Sequence, residues 1–277
     1  MPELPEVETV VRSLEAHLAG LTVTGVNLLK PEVIRSPKSE EFIELLIGKA
    51  FLKKLGRRGK YILLHLSDNL TLVAHLRMTG RLIYCEAEFP LEKHTHVIFL
   101  LDNGKHLRFA DVRRFGRLQL IATPKIMELS GIKDLGPEPL EPEFTREFFK
   151  REIRRRRTRI KPLLLDQSFI AGLGNIYADE ALFRAKVHPE RLAPDLTSRE
   201  AAGLHKAIVE VISEGIEHRG TSFRDYVDGE GRSGSFQNHL KVYNRENLPC
   251  SHCGKPISRI KVAGRSSYYC SSCQKTK

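Results

Sequence analysis

Leu135-Gly-Pro-Glu-Pro-Leu-Glu-Pro142 divides the chain into two stretches of different periodicity. Its three prolines fix φ and remove backbone donors, so neither a helix nor an inner strand runs through it. Before it lie short β-rich runs at 22–29, 61–66, 70–76, 97–101, 105–110 and 117–122, separated by turn signals such as Asp68-Asn69 and Asp102-Asn103-Gly104. Many short strands joined by hairpins predict an antiparallel sandwich. After it the spacing becomes helical at 145–156, 160–166, 176–185 and 200–218, with Thr197 and Glu200 placed as a capping box for the last helix.

Working outward, Val7, Val10, Val11, Leu14 and Leu18 recur at helical spacing before Gly20, so an amphipathic helix precedes the strands. At the other end, 219–238 is rich in Gly, Ser and charge and has no apolar period. It reads as a long mobile loop, of a length found mainly where loops are functional or disordered. The expected fold class is α+β and multidomain. Residues 1–134 form an N-terminal antiparallel β-sandwich with flanking helices, 135–144 a linker, 145–238 a helical domain that includes the loop, and 239–277 a small C-terminal module.

That module holds Cys250, Cys253, Cys270 and Cys273, two Cys-x-x-Cys pairs separated by sixteen residues. The spacing suits two knuckles that converge four thiolates on one structural zinc, which supplies folding energy to a segment too short for its own core. Two disulfides or an iron–sulfur cluster are the alternatives. Ile257, Ile260 and Val262 lead into a turn at Ala263, Gly264 and Arg265, and Tyr268 and Tyr269 lie on the return strand. The result is a zinc-finger β-hairpin with an arginine at its tip, suited to phosphate. Cys85 lies in an apolar stretch and is expected to be buried.

A chain of 277 residues has room for an enzyme with two domains and a small metal module. Its net charge of +11 implies a polyanionic partner, and nucleic acid fits better than an anionic membrane surface. No apolar run is long enough to span a bilayer and no signal peptide precedes the first helix, so a soluble intracellular protein is expected.

Several segments carry chemistry. Met1-Pro2-Glu3-Leu4-Pro5-Glu6 places proline after the initiator, where removal of methionine exposes a secondary amine able to attack an electrophilic sugar carbon as an iminium former. Read structurally, the same residues only begin a helix. Lys150-Arg-Glu-Ile-Arg-Arg-Arg-Arg-Thr-Arg-Ile-Lys161 can neutralise several phosphates or simply form a solvated face. Ala171-Gly-Leu-Gly-Asn-Ile-Tyr177 opens a helix as a phosphate cradle or as ordinary packing. Arg57-Arg-Gly-Lys-Tyr61 is a basic turn, with Lys60 a phosphate contact or proton shuttle. His75-Leu-Arg-Met-Thr-Gly80 and Asp111-Val-Arg-Arg-Phe-Gly116 present Met78 and Phe115 among arginines, as a base-stack wedge requires.

Taken in order, these segments, with residues 135–139, Lys93-His-Thr-His96, 160–162 and the cysteine module, resemble the formamidopyrimidine-DNA glycosylase family. Members are bacterial repair enzymes that remove oxidised purines such as 8-oxoguanine and then cut the strand. The resemblance implies a helix-two-turn-helix domain in 145–238 and a monomeric cytoplasmic enzyme, associated with the nucleoid, that acts on damaged double-stranded DNA. It implies Pro2 as the Schiff-base nucleophile at C1′, Glu3 as acid, Lys60 in β-elimination, and Arg265 in phosphate binding and δ-elimination. It places His75, His94, Arg113, Arg156 and Asn175 against DNA, and Met78, Arg113 and Phe115 in the space left by an extruded nucleotide. Glu6 falls near the lesion pocket, and 219–238 closes over the base. Some members carry glutamate where this chain has Thr79, so no base contact is assigned there.

The physics agrees with these roles. Extruding a base costs a few kcal/mol, which phosphate contacts must offset, so binding should depend steeply on salt. The alternatives are an endonuclease VIII-like enzyme for oxidised pyrimidines, against which Leu4 speaks, a noncatalytic DNA-binding zinc protein, and an RNA-binding zinc ribbon.

Overall fold

Leu4–Leu18 forms α1, the first element of a computed structural model that describes residues 1–223 and 225–276. Pro5 pre-sets its first turn, and Leu4, Val7, Val10, Val11, Leu14 and Leu18 are buried along one face. The chain forms two compact units, Met1–Lys133 with His218–Ser235, and Asp134–Glu217 with Phe236–Lys277.

In the first unit α1 is followed by β1 (Val23–Leu28), β2 (Ile34–Ser36), α2 (Ser39–Leu46), β3 (Gly56–Arg58), β4 (Tyr61–Leu66), β5 (Leu70–His75), β6 (Gly80–Cys85), β7 (Thr95–Leu101), β8 (His106–Asp111) and β9 (Arg117–Ala122). One sheet has the order β1-β7-β8-β6 and the other β2-β9-β5-β4-β3. The result is the expected antiparallel sandwich, with one short parallel pairing, β2 with β9, at a sheet edge. A single core joins Leu64, Leu72 and Leu118 of one sheet, Phe99, Leu107 and Phe109 of the other, Phe42 of α2, and Leu14 of α1. The sequence pattern misses β2 and β3 because three residues carry no period, and β6 because its apolar residues, Leu82-Ile-Tyr-Cys85, run together without alternation.

His218–Ser235 belongs to this unit, although the sequence groups it with the helices before it. It is knitted in mainly by polar contacts, with the Tyr226 ring packing against the core, which is why no apolar period marks it. The Gly229 N–H donates to Ser13 Oγ at 2.9 Å, and the Tyr226 hydroxyl donates to Glu6 O at 3.2 Å. The Tyr84 N–H donates to Gly229 O at 2.8 Å. Arg224 lies outside the described residues.

The second unit contains α3 (Arg146–Arg155), α4 (Ile160–Leu165), α5 (Asn175–Arg184), α6 (Ser198–Glu217), β10 (Ser258–Val262) and β11 (Arg265–Tyr269). The Thr197 cap is present: the Glu200 N–H donates to Thr197 Oγ1 at 3.2 Å, and the Thr197 N–H to Glu200 Oε2 at 2.8 Å. β10 and β11 are joined through Ala263 and Gly264, both at positive φ, the backbone of a type I′ turn. Phe183, Val242, Ile257 and the buried Cys250 and Cys270 pack as one cluster that seats the hairpin.

Candidate active site

Pro2 is buried immediately ahead of α1. Glu3 and Glu6 close a reciprocal cap beside it: the Glu3 N–H donates to Glu6 Oε2 at 2.7 Å, and the Glu3 carboxylate accepts from the Glu6 N–H. The other oxygen, Glu6 Oε1, accepts the Thr221 N–H at 2.7 Å. One carboxylate thus links the residue after Pro2 to the His218–Ser235 loop. Gly220, at φ +77°, lets that loop approach, since a Cβ there would lie 2.8 Å from Glu6 Cγ.

Lys60 completes the turn between β3 and β4 and is only 7% exposed. Arg57 straps this turn to α1, with Nε donating to Glu8 Oε2 at 2.9 Å and Nη1 to Gly59 O at 3.2 Å. Burial pushes the Glu8 carboxyl up, yet Arg57 and Arg12 together hold it below its usual range. His75 sits opposite Tyr61 in the β4–β5 ladder with the rings edge-on at 4.6 Å. Burial, then the charges of Arg77 and Lys60, push its imidazole down to about 3, so it stays neutral. Its Nδ1 accepts the Arg77 N–H at 3.0 Å. His75 is therefore buried and fixes the backbone of the Met78 loop.

Met78 and Phe115, 44% and 49% exposed, project from the β5–β6 and β8–β9 turns. Arg113 joins them, its Nη1 donating to Met78 Sδ at 2.9 Å and its guanidinium lying 4.8 Å from the Phe115 ring centre. Behind them is Asp111, 1% exposed. Its Oδ1 accepts from the Thr79 hydroxyl and, at 3.1 Å, from the Arg113 N–H, and its Oδ2 accepts the Gly116 N–H at 2.7 Å. The Asp111 N–H donates to His94 O at 2.9 Å, which places half-buried His94 beside this turn. Thr79, set aside as a departure from the family pattern, is part of this support.

In the second unit Asn175 starts α5 and its Nδ2 donates to Ser266 O at 3.1 Å. Lys161 Nζ donates to the same oxygen at 2.8 Å and meets Asp179 Oδ1 at 2.7 Å, with both side chains fully buried. Asp179 Oδ2 accepts the Tyr268 N–H at 3.0 Å, and burial pushes this carboxyl up to about 7 against the pull of Lys161. Arg265, next to Ser266, is exposed at the hairpin turn. Arg156 is more constrained than a free surface cation: it lies 5.0 Å from the Phe169 ring centre, with Glu152 and Asp166 at 3.7 and 3.8 Å.

The four Sγ atoms of Cys250, Cys253, Cys270 and Cys273 lie within 4.8 Å of one another. Cys250 and Cys273 sulfurs are 3.9 Å apart and those of Cys253 and Cys270 3.5 Å. Tetrahedral zinc with Zn–S bonds of about 2.3 Å sets sulfurs about 3.8 Å apart, so the thiols fit one structural zinc. Cys85 is only half-buried, contrary to expectation, and lines a cavity of about 260 Å³ with Tyr84, Arg81 and Arg108.

Sequence reasoning missed Asp111, the Arg57–Glu8 pair and the Lys161–Asp179 pair as supports. An aspartate closing a strand before Arg-Arg-Phe-Gly is a turn-capping signal that could have revealed the first. The others join residues far apart in sequence and leave no local mark. No helix among the described residues is long and apolar enough to cross a membrane.

Residues 1–118 match the model of the formamidopyrimidine-DNA glycosylase N-terminal domain, 135–227 that of its H2TH domain, and 247–276 that of a zinc finger found in FPG and IleRS. The chain is 76% identical to the formamidopyrimidine-DNA glycosylase of Desulforamulus reducens and 61% identical to that of Pelotomaculum thermopropionicum, in each case over 277 residues that span both proteins completely. Among solved structures, it is similar to Lactococcus lactis Fpg bound to DNA containing N7-benzyl-Fapy-dG, with a TM-score of 0.93 at 38% identity over 99% of this chain and 100% of that one. It is also similar to MutM in complex with DNA containing carbocyclic 8-oxo-G, with a TM-score of 0.92 at 38% identity and the same coverage.

Proposed function

Because the chain belongs to the formamidopyrimidine-DNA glycosylase family, we propose a division of labour among its own residues for excising oxidised purines and cutting the strand. The protein is a DNA glycosylase and AP lyase that acts on damaged double-stranded DNA and carries one structural zinc. Its target base is shielded inside the duplex and must be extruded before chemistry begins.

Removal of Met1 frees the Pro2 nitrogen. Its lone pair attacks C1′, and the bond from C1′ to the base breaks with its electrons leaving on the base, which takes up a proton. Opening of the sugar ring gives a cationic iminium between Pro2 and the sugar. Glu3, buried next to Pro2, supplies or relays the ring-opening proton. The iminium then draws electrons as Lys60 removes the 2′ proton and the 3′ phosphate departs. In the second elimination the 4′ proton is lost and the 5′ phosphate leaves, with Arg265 neutralising phosphate charge. Water finally hydrolyses the iminium and releases Pro2.

Reactivity requires an unprotonated amine, and at its reference pKa of about 7.7 to 8.0 an α-amino group is largely protonated at neutral pH. Desolvation of the freed nitrogen, or cations beside it, must therefore favour the neutral form for the reaction to proceed. Met78, Arg113 and Phe115 fill the space of the extruded nucleotide, and His94, Arg156 and Asn175 hold its backbone. His75 acts on DNA through the Arg77 backbone that it fixes. Glu6, bonded to Thr221, lines the lesion pocket under the His218–Ser235 loop. Bacterial relatives and a chromosomal substrate support action in the cytoplasm at the nucleoid.

The observation that carries this reading is the reciprocal Glu3–Glu6 cap, which holds a buried carboxyl beside residue 2. Borohydride reduction during reaction with an 8-oxoguanine duplex should trap a covalent adduct, with mass spectrometry placing it on Pro2. Pro2→Ala should abolish the adduct while duplex affinity is retained. Normal trapping by that variant would move the nucleophile elsewhere and overturn the mechanism.

A further inference from the structure

The two turns that present Met78 and Phe115 are built around one carboxylate rather than around a core. Asp111 ends β8 opposite Gly80, where β6 begins, so its side chain lies between the two turns. It accepts from Thr79 in the first turn and from the Arg113 and Gly116 N–H groups in the second. The Arg113 N–H is shared, lying 3.1 Å from Thr79 Oγ1 and 3.1 Å from Asp111 Oδ1. The Asp111 carbonyl accepts from His96 Nε2 at 2.7 Å, which fixes the carboxylate from behind. Both turns also contain a non-glycine residue in the left-handed region, Arg77 at φ 54° and Arg114 at φ 56°. Such conformations persist only where surrounding contacts enforce them.

We propose that Asp111, acting with Thr79, is a positioning residue for base extrusion: it locks the Met78 turn to the Arg113–Phe115 turn so that the three side chains enter the duplex as one rigid wedge. Asp111 is 1% exposed and reaches the reaction only through the residues it holds. A wedge recovers part of the unstacking cost only if it fills the vacated space without first being ordered, so rigidity before binding translates into rate. Losing the acceptor frees two backbone donors and one hydroxyl, and leaves the exposed Arg113–Met78 contact as the remaining tie between the turns. This inference rests on the reading of Met78, Arg113 and Phe115 as the wedge.

Asp111→Asn and Phe115→Ala are compared with wild type on two substrates. One is an 8-oxoguanine duplex, followed by single-turnover excision. The other is a single-stranded oligonucleotide with a preformed abasic site, where no base needs extrusion. Asp111→Asn should slow duplex excision by about tenfold or more, as a displacement of about 1 Å in a positioned group does. Cleavage of the single strand should stay at the wild-type rate, and adding Phe115→Ala should slow the Asp111→Asn enzyme no further. Unchanged duplex excision, or proportional loss on both substrates by a folded protein, would overturn the role. Should Asp111→Asn not fold, Thr79→Val, which removes the hydroxyl that bridges the Asp111 carboxylate and the Arg113 N–H, must show the same split between substrates, and its absence would count against the proposal. If Phe115→Ala alone leaves duplex excision intact, the wedge reading falls and this inference with it. If Phe115→Ala slows excision and Asp111→Asn does not, only the inference falls.

Discussion

Arg57 Nε lies 2.9 Å from Glu8 Oε2 and thereby ties the turn that carries Lys60 to the helix that begins just after Pro2. The Arg57 and Glu8 side chains are 9% and 19% exposed, so solvent screens the pair only partly. Glu8→Gln should cost about 1.5–3 kcal/mol, the range for a hydrogen bond between charged groups. The same pair implies a pH dependence. The folded carboxyl lies below its ordinary value of 4.5, so its contribution is complete above that pH and is lost as pH falls through the depressed folded value. Urea unfolding from pH 7 down to pH 3 should show wild type losing its advantage over Glu8→Gln in the acid range.

His75 makes a separate acid prediction. Its folded value of about 3 lies below the ordinary 6.5, so neutral imidazole is favoured in the fold. Stability from this group is present above 6.5 and falls by about 1.4 kcal/mol per pH unit as pH drops towards 3. His75→Gln should flatten that part of the profile. An NMR titration should show the His75 ring unprotonated at pH 5, and a midpoint near 6.5 would contradict the account.

The fully buried Lys161–Asp179 pair predicts a sharp asymmetry between breaking it and replacing it. Asp179→Ala strands a buried ammonium and should cost about 3–5 kcal/mol. Lys161→Met combined with Asp179→Leu should recover most of that loss in chemical denaturation. A double variant no more stable than the single one would show that the bonds to Ser266 and Tyr268, rather than the charge pairing, hold the hairpin.

Zinc removal should act on one module. The cysteines anchor a cluster that includes Phe183, Val242 and Ile257, so chelation should unseat β10–β11 and with them Arg265. Metal analysis should return one zinc per chain. The chelated protein should lose duplex affinity while the circular dichroism of the sandwich persists.

The sequence marked the elements with a strong local period. α1, α5, α6 and the strands from β4 to β9, with the exception of β6, follow from apolar spacing, and Thr197 with Glu200 marked the start of α6. The hairpin and its metal ligands followed from the cysteine spacing. What stayed hidden is held by contacts distant in sequence. Edge strand β6 runs four apolar residues together, Leu82-Ile-Tyr-Cys85, and so shows no alternation, and His218–Ser235 is organised by Ser13, Tyr84 and Glu6 rather than by its own side-chain pattern. Asp111 and Thr79 stand thirty-two positions apart, and only folding brings their side chains together.

If the proposed chemistry at the Pro2 nitrogen holds, the amino end tolerates no passenger, because any residue left ahead of Pro2 keeps that nitrogen an amide. An affinity tag, a reporter or a fused domain on that side would leave a folded, zinc-loaded, DNA-gripping protein with its reagent permanently masked as an amide. Purification handles and fusions therefore belong at the opposite terminus, and a deliberately cleavable leader would turn the enzyme into one that a protease can switch on.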